Sequence, residues 1–192
     1  MLQLVERARA LLNFRKAIQK VALLKADHRG VAAIEFALFA GFLSVAALQV
    51  ADIGIYVYQR MQVENATEMG AQTAWKTCNT FTMWPASINC SNLNSAVQSA
   101  VQVTTLGNRV TLQTGSPSEG WYCVNSSNAL QLVSSDMTTK PADCTAAGMP
   151  GLQAADYIQV TAKFSYAPLF PGITVAKAFT TPIIKTSLMR LH

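Results

Sequence analysis

From Val31 to Ala51 the chain runs for 21 residues with one charged side chain, Glu35. As a helix rising 1.5 Å per residue, this stretch is about 31 Å long, the thickness of one bilayer core. Without its Glu35 end only residues 36–51 are uncharged, a marginal length for a span. No proline occurs between Val31 and Trp84, so the helix is free to continue beyond a membrane. Asp52 then falls near the outer interface, with Tyr56 and Tyr58 as part of an aromatic belt.

The charges are distributed around that segment. Residues 1–30 hold seven basic side chains against two acidic ones, Glu6 and Asp27, whereas residues 31–192 hold eight of each sign. The formal net charge of +5 therefore sits on one side of the apolar run. A basic flank of this kind marks the cytoplasmic side of a membrane segment. A nucleic-acid groove would spread its charge over the folded domain, so nucleic acid is not an expected partner. Residues 1–25 read as an amphipathic basic helix, with Leu4, Leu11, Leu12 and Ile18 interleaved with Arg and Lys.

All four cysteines, Cys78, Cys90, Cys123 and Cys144, follow the apolar run. An even count on the presumed outer side suits disulfides in an oxidising compartment such as a periplasm. Three pairings exist, and sequence proximity favours Cys78 with Cys90 and Cys123 with Cys144. A zinc site has little support, because no CxxC pair is present and the histidines are His28 and His192.

Past the apolar run, Ile53, Val57, Met61, Glu64, Glu68, Ala71 and Trp75 recur every three or four residues, predicting a helix with one face on a globular domain. A short helix is expected after Ser91 or Asn92, carrying Leu93, Val97, Val101 and Leu106 and stopping at Gly107. Strands are expected near Val110–Leu112, Trp121–Val124, Leu130–Val133, residues 157–166 and Ile183–Leu191, with loops at 114–120 and 134–148. The expected fold class is α+β and pilin-like: a long N-terminal transmembrane helix continuing into a small domain with a short helix and an antiparallel sheet. The expected divisions are a leader at 1–30, a transmembrane helix at 31–52, its outer continuation at 53–77 and an outer domain at 78–192.

The residues that carry chemistry are Arg29-Gly30-Val31-Ala32-Ala33-Ile34-Glu35-Phe36. Gly30 stands directly before the apolar helix, where its freedom can open the backbone to a protease. Glu35 lies one turn further on, and a charge at the centre of a membrane helix costs about 2.5–3.5 kcal/mol. Two readings of Glu35 stay open: it pairs with the free amine that cleavage would create on a neighbouring subunit, or it reaches back to the headgroups. Ala33, Ala37 and Gly41, spaced by four, give a stripe on which a second membrane helix can pack closely, or an alanine-rich face turned to lipid.

The Arg29-Gly30-x4-Glu35-Phe36 pattern resembles the processing signal of type IV prepilins. The longer run RGVAAIEFALFAGFL, followed by Asn65-Ala66-Thr67-Glu68-Met69-Gly70-Ala71, resembles the TadE-like family of pseudopilins from tight-adherence (Flp) pilus systems. The resemblance covers residues 27–76 and extends to 156–191, where Tyr166-Ala167-Pro168-Leu169-Phe170-Pro171-Gly172 leads to a closing Ser187-Leu188-Met189-Arg190-Leu191. It implies a minor pseudopilin contributing to assembly or initiation of a pilus, cut by a prepilin peptidase after Gly30. Val31 would be the mature N-terminus and Glu35 the residue guiding recognition or subunit register. Phe36 stands where such pilins often have tyrosine. The size of the C-terminal part argues against a major pilin. The implied partners are a prepilin peptidase, other pilins and pseudopilins, the inner-membrane assembly machinery and lipid. The implied location is a bacterial inner membrane, crossed once, with the N-terminus cytoplasmic and the C-terminal domain periplasmic, or an extracellular pilus after incorporation.

No GxSxG, HExxH, P-loop or GxGxxG motif occurs. The scattered carboxylates Glu119, Asp136, Asp143 and Asp156 read as turn or solvated residues, and Trp84, Trp121 and Tyr122 as packing. An enzyme, a cofactor and a metal are therefore not expected. Two alternatives remain: an uncleaved single-pass protein with a periplasmic binding domain, and a secreted binding protein cut after Ser44-Val45-Ala46.

Overall fold

The computed structural model describes residues 29–179 and 181–191. The leader helix expected over 1–25, most of the 1–30 leader, His28 and His192 lie outside the described residues. The chain divides into two compact units, Met1–Leu48 and Gln49–His192.

Helix α1 (Arg29–Thr77) is 49 residues long, as the absence of proline allows. Within the first unit its side chains are exposed almost without exception, including Phe36, Leu38, Phe39, Phe42 and Leu43. Within the second unit its buried face is Asp52, Tyr56, Val63, Ala66, Thr67, Gly70, Ala71 and Ala74. This differs from the expected stripe, because Val57, Met61 and Trp75 are exposed. Small residues form the contact because the domain approaches the helix closely. A Cβ on Gly70 would meet Val101 Cγ1 at 2.9 Å and Val160 Cγ1 at 3.1 Å.

The remaining elements close over that face. Helix α2 (Ala86–Asn89) is a single turn, and α3 (Leu93–Val101) buries Leu93, Val97, Ala100 and Val101. Helix α3 ends six residues before Gly107, because Val103, Thr104 and Thr105 are β-branched and favour leaving the helix. Leu106 is nonetheless buried in the core.

Five antiparallel strands form one sheet: β1 (Thr111–Leu112), β2 (Ser118–Val124), β3 (Leu130–Ser134), β4 (Ala155–Phe164) and β5 (Ile183–Arg190). Strand β4 is central. It pairs along Tyr157–Phe164 with β5, while β2 and β1 share its other edge, and β3 pairs with β2. Strand β2 begins at Ser118, inside the loop expected over 114–120, because Glu119 and Gly120 pair with Ile158 and Tyr157. The fold is α+β, a long apolar helix followed by a small domain with short helices and an antiparallel sheet.

Two apolar clusters hold the domain. The first joins α1, α3 and β4 around Val63, Val97, Val101, Ile158 and Val160. Full burial of one such aliphatic side chain contributes about 1.5–3 kcal/mol. The second gathers Trp121, Cys123, Met137, Cys144, Ala147 and Ala154. Each cluster includes a disulfide: Cys78–Cys90, with a sequence separation of 12, and Cys123–Cys144, with a separation of 21. Trp121 and Tyr122 are buried.

Candidate functional site

The first unit contains Gly30, Val31, Glu35 and Phe36 on consecutive turns of α1, all exposed. Nothing lies within 4 Å of a Cβ built on Gly30 or on Gly41. Ala33, Ala37 and Gly41 form a stripe of small residues, and Phe36, Phe39 and Phe42 project around it. Further along, Ser44 Oγ donates to the Ala40 carbonyl at 2.7 Å, so its hydroxyl is satisfied inside the helix. Among the described residues Glu35 has no hydrogen-bond or ion-pair partner. This surface of bulky apolar side chains with one carboxylate near its start suits a hydrocarbon environment and not water. The helix is long and apolar enough to cross a membrane.

The second unit treats its polar groups in the opposite way. Asp52 is fully buried, and its Oδ1 accepts hydrogen bonds from the Tyr166 hydroxyl at 3.1 Å and the Leu169 N–H at 2.9 Å. Burial and then the hydrogen bond to Asp52 push the Tyr166 phenol up to about 12. Tyr56 packs on Tyr166, centroids 5.0 Å apart, and on Phe179 at 4.6 Å. The belt role expected for Tyr56 is therefore corrected: Tyr56 faces the domain, and Asp52 beside it is turned the same way. Their spacing to Val63 (four, then seven residues) is a helical period, the signal that places them on the buried face.

Glu119 and Asp156 also depart from expectation, since neither is a solvated residue. They are 7% and 1% exposed. Glu119 lies opposite Ile158 of the first cluster, and Asp156 opposite Trp121 of the second, so the two carboxyls sit at the seam between the cores. Glu119 accepts from the Ala86 N–H at 2.9 Å, the Ser87 N–H at 2.7 Å and the Ser87 hydroxyl at 2.6 Å, tying β2 to the start of α2. Burial, then the charge and hydrogen bond of Glu119, push the Asp156 carboxyl up to about 8. Parity along the strand is the signal for Asp156, which shares the face of Ile158, Val160 and Ala162. Asp136 and Asp143 are turn residues as expected: each Oδ1 accepts the backbone N–H two residues on, from Thr138 and Thr145, at 2.9 Å.

Among the described residues no group of three or more His, Cys, Asp or Glu side chains could hold a metal. A cleft of about 330 Å³ is bounded by Tyr56, Arg60 and residues 182–185, and no nucleophile–base pair lines it.

The family model of TadE-like proteins matches residues 30–72. Residues 30–72 are TadE-like. The TadE-like match begins at Gly30 and ends just past Gly70-Ala71, so it takes in both the exposed apolar turns and the small-residue face on which the sheet packs. No curated protein and no solved structure matches the chain. The TadE-like match points to a protein related to the tight-adherence pilus, and the one such apolar helix among the described residues to single-pass membrane anchoring.

Proposed function

We propose that this chain is a minor pseudopilin that helps to start or assemble a tight-adherence pilus after a prepilin peptidase cuts between Gly30 and Val31. The observation that carries the reading is the TadE-like match starting at Gly30, five residues before Glu35, the lone carboxylate of the exposed apolar stretch 30–48. The protein acts by binding, not by catalysis. The basic leader keeps the N-terminus in the cytoplasm, and the disulfide-bonded domain lies in the periplasm. Cleavage frees the Val31 amine, and Glu35 accepts that amine from a neighbouring pilin or pseudopilin, which offsets its charge in lipid. The stripe Ala33, Ala37, Gly41 lets the neighbouring helix approach. Peptidase, sibling pilins and the inner-membrane assembly machinery are the partners.

Gly30→Leu tests the cleavage. Nothing lies within 4 Å of the Gly30 Cβ position, so a block cannot be assigned to a clash with the described residues. The leader should be retained in this variant; mature-sized protein would sink the peptidase claim. Glu35→Ala should insert in the membrane normally and abolish piliation. Full piliation in that background would return Glu35 to a residue that merely reaches the headgroups.

A further inference from the structure

The segment between Tyr166 and Pro182 is tied to α1 at two points. Gln49 Nε2 donates to the Ile173 carbonyl, and Gln49 Oε1 accepts from the Val175 N–H at 2.9 Å. One turn on, Asp52 holds Tyr166 and Leu169. Gln49 lies within the uncharged run 36–51, so the loop is fastened to the last turn of the candidate span itself. Part of its backbone is satisfied within the loop: the N–H groups of Ile173 and Thr174 both donate to the Phe170 carbonyl at 3.1 Å. Three of its apolar side chains face outward, while Thr174 and Ala176 are buried. Leu169, Ile173 and Val175 are 58%, 54% and 55% exposed, and no charge occurs from Ala167 to Ala176.

In water three exposed aliphatic side chains on one short loop are unfavourable. On the reading of α1 as the membrane anchor, Gln49 stands at the bilayer boundary, where apolar side chains are stabilised and satisfied backbone groups are required. Lys177, the first charge after the loop, is exposed and long enough to reach a lipid phosphate. We propose that Leu169, Ile173 and Val175 form a second membrane contact, seated in the headgroup and upper acyl region of the leaflet at the C-terminal end of the span. The occupant of this apolar patch is lipid, because the loop is hydrogen-bonded to Gln49, which belongs to the uncharged run that the anchor reading places in the bilayer. The same contact shields Asp52, whose carboxylate is withdrawn from lipid by the donors the loop supplies. The proposal rests on the reading of α1 as the membrane anchor.

The test uses the full chain in phosphatidylethanolamine–phosphatidylglycerol vesicles, with a nitroxide attached through Ile173→Cys. All four native cysteines are in disulfides, so the added thiol is the one labelling site. Leu43→Cys, in the apolar run, and Phe81→Cys, just past the end of α1 and 85% exposed, serve as lipid and water references. Relaxation by oxygen, which concentrates in lipid, is compared with relaxation by a water-soluble nickel chelate. The Ile173 label should be several-fold less accessible to nickel than the Phe81 label and several-fold more accessible to oxygen. Nickel accessibility equal to that at Phe81 would put the loop in water and overturn the proposal. Exclusion of both reagents would mean that a protein covers the patch, which also overturns it. In both cases the Leu43 label still reports lipid, so the loop fails alone. Nickel access at Leu43 would instead remove the anchor reading, and this proposal with it.

Discussion

Along α1, residues 30–48 turn phenylalanine and leucine outward and leave alanine and glycine uncovered, whereas residues 49–77 place alanine and glycine under the sheet. Both halves lack proline and both are helical throughout. The difference lies in what surrounds them. The first half has a lone carboxylate, Glu35, with no partner among the described residues. The second half buries a carboxylate, Asp52, and supplies it with a hydroxyl and a backbone N–H. A helix that faces hydrocarbon places its bulk at the surface; one that faces a packed domain places its smallest residues where the partner comes closest.

The contrast breaks most sharply at the disulfides. Replacing Cys78 and Cys90 together by serine should lower the stability of the domain by about 3 kcal/mol, the loop-entropy value for a closure of this size. Urea unfolding of the detergent-solubilised protein measures the loss. Membrane association should be unchanged, since the apolar half carries it; a protein lost from the membrane would show that the two halves are not independent.

Glycine substitutions sharpen the comparison within the helix itself. Gly70→Leu forces a side chain against Val101 and Val160 and should cost about 2 kcal/mol, in the usual range for overpacking. A Cβ at Gly41 meets nothing within 4 Å, so Gly41→Leu should leave the unfolding midpoint of the domain unmoved. Its effect should appear in association with other pilins. Equal destabilisation by both variants would contradict the division.

A graded effect comes from the seam carboxyls. Asp156 loses its proton near the ordinary carboxylate range when unfolded but keeps it to about 8 when folded. The folded state therefore binds more protons between these limits, and stability falls as pH rises from about 4 to about 8. Above that range the dependence levels off. Asp156→Asn should flatten this profile in thermal melts recorded across pH. A wild-type domain whose stability is level, or rises, over the same interval would contradict the burial of Asp156 beside Glu119.

The long helix, β4 and β5 are legible in the residues: no proline interrupts Val31–Trp84, and Ile158, Val160, Ala162 and Phe164 alternate cleanly. What a linear reading misses is the small residue that packs. Val57, Met61 and Trp75 attract attention by their size, yet Ala66, Gly70 and Ala74 form the contact, because closeness of approach and not bulk decides that face. The buried carboxyls are missed for a related reason. Asp52, Glu119 and Asp156 look like surface residues by type, and the donors of the first two, Tyr166, Leu169, Ala86 and Ser87, lie more than 30 residues away in the chain. Their phase with Tyr56, Trp121 and Ile158 is the available clue. For the candidate site, Gly30 and Glu35 are visible at once, since a glycine and a carboxylate stand out in an apolar run.

The central claim is that the exposed half of α1 is a prepilin helix that begins its mature life at Val31. Determining the N-terminal residue and intact mass of the protein purified from membranes that contain an active prepilin peptidase tests it directly. The expected chain starts at Val31. A chain starting at Met1 would make the protein an uncleaved anchor, and a start near Ala47 a secreted protein; either contradicts the account.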